Sequence, residues 1–148
     1  MKSWIIPAFV AAVPGLALAP SVRAAGSSVE VVMQDPSTGS EIHKMQMLAN
    51  PPTVPAGEVI FHATNESKTL VHEMLVVKVK RFGEKLPYDA KTSEVIERRV
   101  RDLGEISDLK PGTSGALTLR LKAGFYVLLC NQPGHYKQGM WTRFTVSP

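Results

Sequence analysis

Three side chains that can bind a soft metal ion lie close together near the end of the chain. Cys130, His135 and Met140 are evenly spaced in the segment Cys130-Asn-Gln-Pro-Gly-His135-Tyr-Lys-Gln-Gly-Met140, and Cys130 is the only cysteine among the 148 residues. A thiolate, an imidazole and a thioether together suit copper, which accepts sulfur donors as Cu(I) and nitrogen donors as Cu(II). A second histidine from elsewhere would complete a site with two imidazoles, one thiolate and a weak axial thioether.

The position of the other histidines decides whether such a site can form. The chain contains His43, His62, His72 and His135. His72 stands at the start of the apolar residues 70–77, directly after a polar loop at residues 65–68. A strand that begins at His72 can place this imidazole at one end of a β-sandwich. The strand that leads to Cys130 can end at the same place, which would bring the two side chains together. His62 has no such context and is interpreted as structural.

A second group with copper-binding chemistry consists of His43, Met45 and Met47. Their alternating positions would place all three side chains on one face of a strand. Imidazole and thioether groups can bind Cu(I). An ordinary strand with two buried methionines is the favoured interpretation, because methionine commonly fills gaps in hydrophobic cores.

The elements that must position these donors are predicted to be short strands separated by turns. The apolar patterns predict strands at residues 29–34, 58–65, 70–79, 117–122, 125–129 and 144–146. Prolines and glycines indicate turns or loops at residues 35–39, 50–57 and 123–124. Many short strands with frequent turns predict an all-β fold, an antiparallel β-sandwich of Greek-key type.

Residues 92–103 depart from the strand pattern. The apolar residues that recur there at helical spacing are Val95, Ile96, Val100 and Leu103. Thr92 or Ser93 can cap the start of a helix, and Gly104 can cap its end. This pattern predicts one amphipathic helix inserted between strands. A crossover that covers a sheet edge is favoured over a helix that docks a partner.

The candidate donors are similar in order and spacing to those of the cupredoxins, the small blue-copper proteins. The Cys-x4-His-x4-Met spacing, with Pro133-Gly134 directly before the histidine, most resembles the rusticyanin and sulfocyanin branch. The resemblance extends over residues 29–146 and implies a cupredoxin-like sandwich that binds one type 1 copper ion. The implied ligands are three equatorial residues and one weak axial residue: His72, Cys130 and His135, and Met140.

Glu73 departs from the family pattern at the residue after the first implied ligand. Many members carry asparagine there, and its side chain ties the two ligand loops together. In this sequence Asn131 could assume part of that role, or Glu73 could itself reach the metal and alter its colour and potential. The predicted helix at residues 92–103 is a second departure from the smallest members.

The first residues of the chain have the pattern of a secretory signal peptide. Lys2 precedes an apolar stretch at residues 4–19, and Val22-Arg23-Ala24 offers small residues at the positions that a signal peptidase reads. The stretch is shorter than the ~20 residues of a spanning helix and contains two prolines, so an uncleaved anchor is the less favoured alternative. We predict a signal peptide at residues 1–24, one exported or periplasmic domain at residues 25–148, and no stable membrane span after cleavage.

Composition argues against several classes of function. The chain has 17 basic and 13 acidic residues, without a basic run interleaved with aromatics, so nucleic-acid binding is not indicated. One cysteine cannot form an internal disulfide, and metal ligation would protect its thiolate after export. The His-x-His clusters that further coppers would require do not occur in the sequence, so we do not expect an enzyme.

The residues and the resemblance together predict a monomeric one-electron carrier that cycles between Cu(II) and Cu(I). Its partners would be redox proteins such as a cytochrome or an oxidase. The edge of His135, beside Pro133 and Tyr136, is the predicted point of electron entry and exit. The alternative is a copper-handling protein, a chaperone or buffer, which a Cu(I) site at residues 43–47 would support.

Overall fold

Eleven short strands make up most of residues 26–148, the part of the chain that the computed structural model describes. The strands are β1 (Ser27–Gln34), β2 (Gln46–Asn50), β3 (Thr53–Pro55), β4 (Gly57–Asn65), β5 (His72–Val79), β6 (Tyr88–Asp89), β7 (Glu94–Val95), β8 (Arg101–Leu109), β9 (Ser114–Leu121), β10 (Gly124–Leu129) and β11 (Trp141–Ser147). The predicted signal peptide at residues 1–24 lies outside the described residues.

The strands form two main sheets. One has the order β2-β1-β4-β9, the other has the order β3-β11-β10-β5-β8, and β6 pairs with β7 as a separate small hairpin. β1 runs parallel to β4 and β3 runs parallel to β11, whereas the other neighbours are antiparallel. The predicted all-β fold is confirmed, and so are the predicted strands that correspond to β1, β4, β5, β9, β10 and β11.

The main core lies between the two sheets, because alternate residues of each strand point inward. The fully buried residues that β1 contributes are Val29, Val31 and Met33. Phe61 of β4 meets Phe144 of β11 edge to face, with ring centroids 5.2 Å apart. Cys130 and Met140 belong to the same core. The core therefore shields the inner side of any site built on these two residues from water.

A second apolar layer covers the outer face of the five-stranded sheet. The residues of β5 and β10 that point to this face are Leu75, Val77, Val79, Val127 and Leu129, and none is more than 9% exposed. The side chains that cover them are Leu86, Tyr88, Val95, Val100 and Tyr136. Burial on both faces explains why the sequence of β5 is apolar almost without alternation.

The predicted helix at residues 92–103 is wrong. The segment forms β7, a short 3-10 helix at Glu97–Arg99 and the start of β8. The backbone of Val95 has partners far along the chain: its N–H donates to Asn131 Oδ1 at 2.6 Å, and its carbonyl accepts from Asn131 Nδ2 at 3.0 Å. Val95, Ile96 and Val100 are β-branched, which also favours extended backbone. Spacing alone could not reveal these distant partners.

The extended segment nevertheless covers the sandwich, although it lies over a sheet face and not over an edge. Val95 is buried, whereas Ile96, Val100 and Leu103 are half-buried, so the apolar residues are covered only in part and by an extended backbone. Among residues 26–148, no helix has the length and apolar character needed to cross a membrane.

One end of the sandwich gathers the segments that carry the candidate donors. The parallel pairing of β1 with β4 sets Met33 opposite Asn65, so the loops after both strands leave at the same end. The last residue of β10 pairs with Leu75, near the start of β5. His72 at the beginning of β5 and Cys130 directly after β10 are therefore neighbours.

Candidate metal centre

A short loop before β5 brings His72 to the site. Asn65 Nδ2 donates to the carbonyls of Leu70 and Leu109, both at 2.8 Å. Asn65 Oδ1 accepts the N–H of Ser67 at 2.9 Å. The amide side chain of Asn65 therefore closes the loop and fixes it against the end of β8. His72 follows this loop and is fully buried.

The other candidate donors lie on the loop between β10 and β11. The Cys130 N–H donates to the Met140 carbonyl at 2.9 Å, and the Met140 N–H donates to the His135 carbonyl at 3.1 Å. Gly139 has a φ of 105°, which residues with a side chain rarely adopt. A Cβ atom there would lie 3.0 Å from the carbonyl oxygen of Met45. The loop is therefore folded back, so that its first, middle and last residues converge.

Three donor atoms face one another at this end of the sandwich. His72 Nδ1 lies 3.1 Å from His135 Nδ1, and Cys130 Sγ lies 3.4 Å from His135 Nδ1 and 3.9 Å from His72 Nδ1. A circle through the three atoms has a radius of about 2.0 Å, and a first-row metal ion binds imidazole nitrogen at about 2.0–2.1 Å and thiolate sulfur at about 2.3 Å. The three donors therefore fit one metal ion.

The protonation states of the three groups also suit a metal ion. Burial lowers the pKa of His72, and burial together with the nearby His72 lowers the pKa of His135, so both imidazoles are neutral at neutral pH. Burial raises the pKa of the Cys130 thiol to about 12. Without a ligand the thiol keeps its proton, and a bound metal ion would displace that proton.

The remaining candidates from the sequence are distributed differently. Met140 is fully buried in the same core cluster as Cys130, and its role as an axial ligand stays a prediction. His43 is exposed, whereas Met45 and Met47 are 7% and 2% exposed in the main core. The structure therefore does not gather residues 43–47 into an accessible Cu(I) site. His62 is exposed on β4, apart from the grouped donors.

Asp35 is the residue at this centre that the sequence did not reveal. Its Oδ2 lies 3.0 Å from His72 Nε2, and the carboxyl is 1% exposed. Burial opposes ionisation of Asp35, but hydrogen bonds from Ser37 and Ser67 outweigh that effect and lower the pKa to about 2. An ionised carboxylate only accepts hydrogen bonds, so His72 Nε2 carries the proton. His72 Nδ1 therefore keeps the lone pair that faces Cys130.

Glu73 ties the two sides of the centre together. Its Oε1 accepts the Asn131 N–H at 2.9 Å, and its Oε2 accepts from Gln132 Nε2 at 3.3 Å. The Glu73 N–H itself points to Cys130 Sγ at 3.4 Å. The carboxyl group thus makes the connection that the resemblance assigns to asparagine. Burial raises the pKa of Glu73 to about 7, although the bond from Asn131 opposes this shift.

Comparisons with known proteins identify the family. A family model described as the sulfocyanin (SoxE) domain matches residues 52–148. Reduced auracyanin from Roseiflexus castenholzii is 26% identical, with a TM-score of 0.61 over 84% of this chain and 99% of that chain. Rusticyanin from Thiobacillus ferrooxidans is 25% identical, with a TM-score of 0.52 over 82% of this chain and 79% of that chain.

Auracyanin A from Chloroflexus aurantiacus, described as a "blue" copper protein, supports the fold alone. It is 18% identical, with a TM-score of 0.58 over 82% of this chain and 99% of that chain. No curated protein matches the sequence.

The sandwich and its grouped donors define a cupredoxin, a member of the blue-copper class. Within that class, the chain belongs to the sulfocyanin (SoxE) domain family. Cupredoxins bind one type 1 copper ion. Two neutral imidazoles and one cysteine sulfur are the donors that such an ion takes, so the residues present here fit the family's metal.

Proposed function

We propose that this protein is an exported one-electron carrier. The observation that supports the proposal most directly is the convergence of two neutral imidazoles and one buried thiol at one end of a cupredoxin sandwich. The proposed ligands are His72, Cys130 and His135, with Met140 as the weak axial ligand. Bound copper supplies the one-electron Cu(II)/Cu(I) couple.

The protein would hold these donors in nearly the same positions in both oxidation states. The loop at residues 130–140 is fixed by its own backbone hydrogen bonds. Glu73 joins that loop to β5, and the main core closes the inner side of the site. Rigid donors and restricted access of water keep the rearrangement between the two states small, which favours fast electron transfer.

Electrons would enter and leave at the edge of His135. This residue is the most exposed of the proposed ligands, at 9%. Val71 directly precedes His72 and is 36% exposed, and Trp141 directly follows Met140 and is 40% exposed. A small surface of this kind suits brief contacts between redox proteins. A reduced donor would give up one electron at this edge, and an oxidised acceptor such as a cytochrome or an oxidase would take it. No substrate would be transformed.

The proposal also includes the predicted processing of the chain. Residues 25–148 would form one monomeric domain in the periplasm or another exported compartment, after removal of residues 1–24. Mass spectrometry of the protein recovered from its compartment tests this point. A mass that begins at Ala25 is expected, and a mass that includes residues 1–24 would contradict the predicted cleavage.

A copper chaperone or buffer is the alternative function. It would need an additional labile Cu(I) site, and Met45 and Met47 are buried in the core, where they are poorly placed for exchange. Copper stoichiometry separates the two functions. A carrier should hold one copper ion per chain, whereas a second Cu(I) ion that His43→Ala abolishes would favour copper handling.

The visible spectrum of the copper-loaded mature chain tests the proposed carrier. We expect an intense thiolate-to-copper band that one-electron reduction removes and reoxidation restores. The band should vanish in Cys130→Ser, because a hydroxyl has nearly the size of a thiol but is not a soft donor. A colourless wild-type protein, or a band that survives in Cys130→Ser, would contradict the proposal.

A further inference from the structure

A buried carboxylate stands directly behind one of the proposed ligands. Asp35 Oδ2 lies 3.0 Å from His72 Nε2, whereas the other ring nitrogen, Nδ1, faces Cys130 and His135. Asp35 follows β1 of the four-stranded sheet and His72 begins β5 of the five-stranded sheet, so the contact joins the two sheets. A buried carboxylate is costly unless several donors surround it.

The adjacent turns hold this carboxylate in place. The Asp35 N–H donates to Thr38 Oγ1 at 3.1 Å, and Asp35 Oδ1 accepts the Ser37 N–H at 2.7 Å. Ser37 Oγ lies 3.1 Å from Ser67 Oγ, in the loop that leads to His72. The turn after β1 is therefore bonded to the loop before β5. These bonds leave the carboxylate little freedom to move away from the imidazole.

We infer that Asp35 is a positioning residue that orients His72 and lowers the reduction potential of the metal centre. By accepting a hydrogen bond from His72 Nε2–H, Asp35 fixes the imidazole tautomer whose Nδ1 is free to bind a metal. As a negative charge close to the ligand ring, it favours the more positive Cu(II) over Cu(I). The inference rests on the proposed function, because it requires copper at His72.

The reduction potential of copper-loaded Asp35→Asn tests this role. Asparagine keeps the size of the side chain and one oxygen acceptor but removes the charge. We expect the ratio of Cu(I) affinity to Cu(II) affinity to rise about tenfold, which for one electron corresponds to a potential about 59 mV higher. The thiolate-to-copper band should remain, because all four proposed ligands are still present. A blue Asp35→Asn protein with the wild-type potential would overturn the inference.

Thr38→Val is the matched control. It removes the hydroxyl that accepts the Asp35 N–H but leaves the carboxylate in place. We expect this variant to keep the wild-type potential. If Thr38→Val raises the potential as much as Asp35→Asn does, the effect comes from a loosened turn, and the assigned electrostatic role is overturned.

Nitrogen-15 NMR of the wild-type protein in its Cu(I) state gives a test that does not depend on the folding of a variant. We expect a slowly exchanging proton on His72 Nε2, because Asp35 and His72 are both buried. A His72 ring without a proton on Nε2 would overturn the inference. Failure of the proposed function would look different, because the wild-type protein itself would then lack the thiolate-to-copper band.

Discussion

The two halves of the proposed metal centre are held in different ways. Cys130, His135 and Met140 share one loop, and hydrogen bonds within that loop fold it onto itself. His72 comes from a strand 58 residues earlier in the chain, and it contacts Asp35 from the opposite sheet. The loop half, which consists of Cys130, His135 and Met140, is therefore determined mainly by local geometry. The strand half, which consists of His72, depends on how the two sheets pack.

This difference indicates where the centre is vulnerable. Hydrogen bonds within residues 130–140 join the three loop residues to one another directly. In the strand half, Asn65 closes the loop that leads to His72, but the position of Asp35 relative to His72 also depends on the register of β1 with β4. Glu73 joins the two halves through its bond to the Asn131 N–H.

His72→Ala should have the largest effect, because it removes the only donor of the strand half. We expect loss of the thiolate-to-copper band. Copper affinity should fall by more than the roughly 10–100-fold that follows when a residue hydrogen-bonded to a metal ligand is removed. Competition with a chelator measures the affinity. His62→Ala, at an exposed histidine of β4, should change neither property. A blue His72→Ala protein with unchanged affinity would mean that the loop half binds the metal alone.

Asn131→Ala should have the next largest effect, because Asn131 joins the loop at residues 130–140 to the apolar layer on the outer face of the five-stranded sheet. The substitution leaves the N–H and carbonyl of Val95 without their side-chain partners, and Val95 is 2% exposed. We expect a loss of about 2–4 kcal/mol in the free energy of unfolding, since each buried polar group left unpaired costs about 1–3 kcal/mol. Urea denaturation of the copper-free protein measures this loss.

Gln132→Ala is the control for Asn131→Ala, because Gln132 is only partly buried and its side chain bonds Glu73 and Asp108 near the surface. We expect it to cost less than about 1 kcal/mol. Equal losses in the two variants would contradict a special role of Asn131 in joining the loop to the outer layer.

Gly139→Ala tests how rigid the loop half is. We expect a loss of about 1–3 kcal/mol from backbone strain, increased by the contact of the new methyl group with the Met45 carbonyl. Gly83 also has a positive φ, of 84°, but no atom lies within 4 Å of a Cβ built there. Gly83→Ala should therefore lose only the unfolding free energy that the backbone strain costs, without a steric contact of the new methyl group. Gly139→Ala must be the more destabilising variant if the loop is tightly packed.

Glu73→Gln should have the smallest effect. The amide oxygen of glutamine can still accept the Asn131 N–H, so the connection between the two halves persists. We expect a change in unfolding free energy below about 1 kcal/mol and an unchanged position of the visible band. A displaced band would indicate that the Glu73 carboxylate reaches the metal, the alternative that the sequence left open.

Sequence patterns captured the loop half better than the strand half. The spacing within residues 130–140 is local, so the residue types alone could identify three candidate donors. Asp35 could not be recognised in the same way, because residues 35–39 have the composition of an ordinary turn and 37 residues separate Asp35 from His72. An acidic residue directly after a buried strand was the available sign, but it did not specify a partner.

The same limit explains the error at residues 92–103. The helical spacing of four apolar residues was real, but it did not exclude an extended segment whose side chains cover a neighbouring sheet. The hydrogen-bond partner of Val95 lies 36 residues later, at Asn131. The strands that were predicted correctly are those whose apolar residues alternate or run continuously within the segment itself, which is a local property.

The direction of β1 determines how this molecule could be attached to a surface. Ser27 pairs with Val59, at the end of the sandwich opposite to Asn65 and the grouped donors. At about 3.3 Å per residue, β1 separates the two ends by roughly 23 Å. A linker joined ahead of Gly26 would therefore hold the molecule with the edge of His135 directed outward. On an immobilising support, that orientation would leave the edge accessible to redox proteins in solution.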